Sequence, residues 1–165
     1  MGTQAVQSEH SISRHGDCVF QAVRDSLGAA CGMAFAPLEQ GALGGVGPEL
    51  IGASISLHGE VEWSVCLGLP KPTAEGLVAK FAGFPVPFDS EDMADAVGEL
   101  ANILAGGVKA NLDQRGVKAE ISLPQVVHGP EVVGLVRQGG ALALKCFETE
   151  AGGLWALVVA SSPEE

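Results

Sequence analysis

The chain reads as one α/β domain of the α+β kind, long helices packed on a mainly antiparallel β-sheet, and three observations carry that reading. Residues 51–69 alternate apolar and polar side chains on both sides of a short glycine turn, the period of paired strands. Residues 90–114 place Met93, Val97, Leu100, Leu104 and Val108 at helical spacing, the period of a helix with one buried stripe. The chain has 165 residues, 47% of them apolar, enough for a single sizeable core.

Taken in order, residues 1–16 show no apolar period and are expected to be a flexible N-terminal arm, with one domain from 17 to 165. Phe20, Val23, Arg24 and Leu27 mark a first helix that ends between Gly28 and Gly32. Residues 36–48, with Pro37, Gly41, Gly44, Gly45, Gly47 and Pro48, form a loop by composition. A hairpin follows. Ile51, Ala53, Ile55 and Leu57 lead to the turn His58-Gly59-Glu60, and Val61, Trp63, Val65, Leu67 and Leu69 return from it with one buried face.

Thr73 is the expected N-cap of a short helix through Leu77, Val78 and Phe81, with Gly83 at its C′ position. Asp89 or Ser90 caps the long helix, Glu91 and Asp92 favour its positive end, and Gly116 stops it. Short strands are expected over Val117–Leu123, after a turn at Pro130–Val136, and in a terminal pair, Ala141–Phe147 with Leu154–Ala160.

Nine basic and 20 acidic side chains leave a net charge of −11. Phosphates would be repelled over most of such a surface, which argues against nucleic acid and anionic membranes as partners and favours a basic patch on a protein. The apolar stretch Ser26–Leu38 is broken by Gly28, Gly32 and Pro37 and is too short for a span of about 20 residues. The polar start lacks the pattern of a secretory signal. Cys18, Cys31, Cys66 and Cys146 are scattered, with neither C-x-x-C nor histidines at ligand spacing. Isolated thiols of this kind suit a reducing compartment, the cytosol, and not a disulfide scaffold or structural zinc.

The long helix carries the chemistry. At about 100° per residue, Asp95, Glu99, Asn102 and Gly106 fall within about 60° of one another, opposite the apolar stripe. Any solvent face of a helix is polar, so the row alone says little. Asn is a poor helix-interior residue, however, because its amide competes with the backbone. Gly98 and Gly106 flank Asn102 at i−4 and i+4, each costing about 1 kcal/mol relative to Ala. Three weak helix formers in one patch can keep the surface low so that another protein reaches Asn102. The alternative is that the glycines permit close packing against another helix of the same domain.

The segment Asp92-Met93-Ala94-Asp95-Ala96-Val97-Gly98-Glu99-Leu100-Ala101-Asn102-Ile103-Leu104-Ala105-Gly106 resembles the active helix of the CheC/CheX/FliY chemotaxis phosphatases, and among them the single-site CheX type. The family pattern is Asp or Ser, three residues, Glu, two residues, Asn, about 22 residues, then Pro. Asp95, Glu99 and Asn102 match it residue by residue. Pro124, in Ser122-Leu123-Pro124, falls one residue short, which implies a small loop deletion. Gly107 stands where CheX members often have Asn. The resemblance extends over roughly residues 17–160.

It implies a phosphatase that hydrolyses the aspartyl phosphate of a CheY-type receiver domain. The receiver would supply Mg²⁺ and a Lys, so this chain needs no cofactor or metal of its own. Asn102 would orient the attacking water, as a Gln does in many GTPases, and Glu99 would pair with the receiver's Lys. Asp95 is either a peripheral contact or a plain solvated residue, and Gly98 and Gly106 would leave room for the partner. CheX-type relatives also pair through sheet edges, so a homodimer through the terminal hairpin is expected.

Other chemistries lack their signatures. There is no Walker-type G-x-x-x-x-G-K and no G-x-S-x-G around Ser122. Gly44-Gly45-Val46-Gly47 has no following helix signal or Lys. His58 and His128 read as loop histidines, and Trp63 and Trp155 as core or interface. Two further readings stay open. One is a receiver-binding module of the same fold without useful turnover, and the other is a flagellar-switch component.

Overall fold

The computed structural model describes residues 10–38, 48–134 and 142–160. Residues 10–31 form one helical run, α1. It includes the α-helical Asp17–Ala22, a π turn at Val23–Leu27 and a last turn at Gly28–Cys31. Gly32, at φ 63°, ends it in the left-handed region. The expected arm therefore does not reach residue 16. Ile12 is buried and Ser11 accepts a hydrogen bond from the Trp63 indole N–H at 3.0 Å. A single apolar residue in the first turn gives too weak a period to read, and the long-range indole bond leaves no local trace. Residues 1–9 lie outside the described residues, as do Gly41, Gly44, Gly45 and Gly47 of the expected loop.

Strand β1 (Ala36–Leu38) is followed by β2 (Leu50–Gly59) and β3 (Trp63–Pro70). The last two pair antiparallel from Leu50↔Pro70 to Leu57↔Trp63, the hairpin that the alternation predicts. Helix α2 (Lys71–Ala82) takes Pro70 as its N-cap and ends at Gly83, φ 86°. Thr73 is not its cap. The hydroxyl is buried and donates instead to the Gly153 carbonyl at 2.8 Å, tying α2 to the far end of the sheet. Helix α3 (Glu91–Gln114) is capped by Ser90, whose Oγ accepts from Met93 N–H at 3.1 Å.

Beyond α3 come β4 (Ala119–Ile121), β5 (Gln125–His128), the single turn α4 (Glu131–Gly134), β6 (Leu142–Thr149) and β7 (Gly152–Ala160). Strand β5 was not expected, because its four residues give too short an alternation. The strand expected after Pro130–Val136 falls on residues outside the described ones. Every pairing is antiparallel in a seven-stranded sheet of order β1-β6-β7-β3-β2-β4, with β5 also lying along β2. The terminal hairpin is thus mostly internal: β7 lies between β6 and β3, and β1 covers β6 at Cys146–Glu148.

Three helices pack on one face of the sheet. Their buried side chains, among them Val19, Leu27, Leu77, Met93, Leu100 and Leu104, meet Ile51, Ile55, Leu57, Trp63, Val65 and Val158. The sheet is also buried on its other face. Trp155 sits there with Leu50, Cys146 and Val132 of α4, and Cys66 with Leu157 and Val159. The single buried face expected from the hairpin therefore understates its centre. At Gly68 any Cβ would enter the Trp155 indole, so a residue without a side chain is what seats that ring.

Helices α1 and α3 meet along a close seam. Asn111 Nδ2 donates to the Cys18 carbonyl at 3.1 Å, and Arg115 clasps Asp17 with two hydrogen bonds of 3.0 and 2.6 Å. The guanidinium holds the Asp17 carboxyl below its usual pKa. Between these ties and the π turn, a Cβ on Gly107 would collide with Ser26 Oγ and lie 3.1 Å from the Cβ of Ala22. Gly106, its neighbour, faces open space. The two positions should respond with opposite sign. Gly107→Ala should lose about 1–3 kcal/mol by overpacking, and Gly106→Ala should gain about 0.5–1 kcal/mol from helix preference. Urea unfolding curves with a common slope would measure both.

Candidate functional site

Helix α3 sets the site by burying its opposite side. Met93, Val97, Leu100, Leu104, Val108 and Leu112 are all buried, which fixes the helix's rotation about its axis. Asp95, Glu99 and Gly106 are then exposed and Asn102 half-buried, in one line along the outer surface. Among the described residues no side-chain partner holds Asp95, Glu99 or Asn102. A carboxylate and a carboxamide one turn apart are thus presented outward, ready to meet groups on another molecule.

The line continues to Lys109, seven residues beyond Asn102, whose Nζ donates to Glu120 of β4 at 3.2 Å. Its helical spacing from Asn102 makes it legible in the sequence, but its partner comes from a separate strand. Gly98 differs from the expectation. It is buried, and a Cβ there would lie 3.5 Å from Val126 and 3.7 Å from Pro124, ordinary contact distances. Its neighbour within the chain is the β4–β5 segment, not another helix. Pro124 therefore lies against the site helix within one turn of Glu99 and Asn102.

The row lies on a convex helix surface. A cavity of about 430 Å³ lined by Asp17, Phe20, Gln21, Arg24, Asp25 and Lys145 contains none of its residues. A convex row suits a substrate that brings its own concave site, as a folded protein does. Among the described residues no group of three or more His, Cys, Asp or Glu could hold a metal ion, and no helix is long and apolar enough to cross a membrane. His58 bonds Glu62 at 3.0 Å beside the β2–β3 turn, and His128 packs edge-on against Phe88.

The four cysteines are free and buried. Burial pushes the Cys31 thiol up to about 11 and the Cys66 thiol to about 12, and raises Cys18 and Cys146 as well. Thiols so buried and so rarely ionised make poor nucleophiles. In a native thiol titration at neutral pH, all four should react at least ~100-fold more slowly than in urea. One thiol reacting at the rate of free cysteine would contradict this.

A family model described as chemotaxis phosphatase CheX matches residues 51–144. The fold is similar to that of the chemotaxis protein CheX from Vibrio vulnificus, at 17% identity and TM-score 0.72 over 88% of this chain and 95% of that one. A CheC-like superfamily protein from Shewanella sp. PV-4 is similar at 19% identity and TM-score 0.69, over 88% and 96% of the two chains. So is a CheX–CheY–BeF3–Mg²⁺ complex from Borrelia burgdorferi, at 21% identity and TM-score 0.66, over 90% and 96%. Among curated proteins nothing matches the chain.

Proposed function

The chain belongs to the CheX family of chemotaxis phosphatases, and on that premise we propose that it hydrolyses the aspartyl phosphate of a CheY-type receiver domain. The observation that carries the proposal is the pairing of Glu99 and Asn102 on the outer line of α3, where the family's active-helix pattern requires them. The homologue crystallised with CheY, BeF3 and Mg²⁺ supports a receiver as the partner and is consistent with a metal brought by the receiver. Free, buried thiols suit a reducing cytoplasm.

In this mechanism the row enters the receiver's phosphoryl site and Glu99 forms an ion pair with the receiver's Lys, fixing the register of the two proteins. The Asn102 carboxamide accepts a hydrogen bond from one water and can donate to its oxygen. It thereby holds the water in line with the phosphorus–oxygen bond to the aspartate. Water oxygen bonds to phosphorus as that bond breaks, releasing phosphate and the free carboxylate. A Mg²⁺ brought by the receiver would supply neutralisation of the phosphoryl oxygens. Positioning is the main work left to this chain, and it can be worth orders of magnitude in rate.

Phosphate release from a phosphorylated receiver, measured with Mg²⁺ present, tests the assignment. Asn102→Ala should lower the rate by about 100-fold while changing stability by no more than about 0.5 kcal/mol. Glu99→Gln should raise the half-saturating receiver concentration about tenfold, with a smaller effect on the saturated rate. Asp95→Asn should do less than either. An Asn102→Ala variant with wild-type activity would refute the proposed roles.

We also propose a homodimer joined near strand β6, where Leu144 is exposed beside the edge strand β1. Light scattering at micromolar concentration should give about twice the 16.8 kDa chain mass, and Leu144→Lys should halve it. A wild-type mass of one chain would exclude the dimer.

A further inference from the structure

The proposed row consists of charge, charge, amide and glycine. Such groups steer an encounter and set its register, but they supply little of the apolar contact at the centre of most interfaces. Four large apolar side chains are exposed among the described residues, and Leu123 is the most open at 88%. It stands on the β4–β5 segment, immediately before the Pro124 that packs over Gly98. Glu99 is the next residue on from Gly98, and Asn102 is one turn on.

The mount is firm. Ser122 N–H donates to the Ser56 carbonyl at 2.9 Å, while Ser56 N–H donates to Ser122 Oγ at 3.0 Å. The same hydroxyl donates to the Leu123 carbonyl at 3.3 Å. Two residues back, Ile121 is opposite Leu57 of β2 and is also exposed. Directly paired residues project to the same side of a sheet, and Leu57 belongs to the helix-covered face. Ile121 therefore flanks α3 on the side that carries the row.

We propose that Leu123, backed by Ile121, is the apolar grip with which this chain holds a phosphorylated receiver, against an apolar patch on the rim of the receiver's phosphoryl site. The assignment rests on the phosphatase reading above. A body that brings its phosphoaspartate to Asn102 must also cover the segment lying on Gly98, so the occupant is the receiver itself. Leu123 is a binding residue and takes no part in bond breaking.

The experiment compares wild type, Leu123→Ser and Leu123→Met as full chains, with receiver-phosphate hydrolysis, binding to a BeF3-loaded receiver, and thermal melting. Leu123→Ser should melt with wild type and raise both the half-saturating and the dissociation constant about tenfold, leaving the saturated rate within about twofold. Leu123→Met, which keeps apolar volume, should restore both constants. Wild-type constants in Leu123→Ser alongside an active wild type would overturn the grip alone. A loss confined to the saturated rate would overturn it too, since it would make the loop part of the chemistry. A changed oligomer mass with unchanged receiver kinetics would assign Leu123 to self-association instead. A wild type that neither binds nor hydrolyses any phosphorylated receiver would remove the phosphatase reading and the grip together.

Discussion

Everything the site presents depends on the burial of one side of helix α3. Six large apolar side chains from Met93 to Leu112 are seated against the sheet and neighbouring helices. Rotating the helix by one residue, about 100°, would expose several of them and forfeit roughly 1.5–3 kcal/mol for each. That penalty holds Asp95, Glu99 and Asn102 outward although no bond among the described residues ties their side chains. The neighbours reinforce the setting. Gly107 admits the π turn of α1, Arg115 clasps Asp17, and the β4–β5 segment lies over Gly98.

The parts of this architecture legible in the sequence are those decided by local periodicity and end chemistry. The β2–β3 hairpin was visible because its two halves alternate in phase around a glycine turn. Helix α3 was visible from end to end because Ser90 caps it, its stripe keeps a helical period and Gly116 stops it. The line of Asp95, Glu99, Asn102 and Gly106 followed from the same period, and the resemblance gave it a chemistry.

What stayed hidden depends on partners far along the chain. Thr73 looks like a cap, yet its hydroxyl serves a carbonyl 80 residues away. Gly98 reads as part of an open face because nothing near it reveals that Pro124 and Val126 fold over it. The alternation in β2 and β3 suggests one apolar face. The buried Cys66, Trp155, Leu157 and Val159 belong to a second layer that only the sheet order creates. Gly107 reads as a departure from the family's pattern, whereas in the fold it is the contact point between two helices.

The two tryptophans occupy opposite faces of the same sheet. Trp63 lies under the helices with its N–H bonded to Ser11, and Trp155 lies over Gly68 beside the α4 turn. With two indoles and no tyrosine in the chain, intrinsic fluorescence carries one signal from each layer and no transfer from phenols. The Trp63 emission follows the seating of the first turns of α1. That of Trp155 follows the layer on the other side. Replacing either indole by phenylalanine would leave a single-colour optical gauge of how the two faces of the sheet come apart.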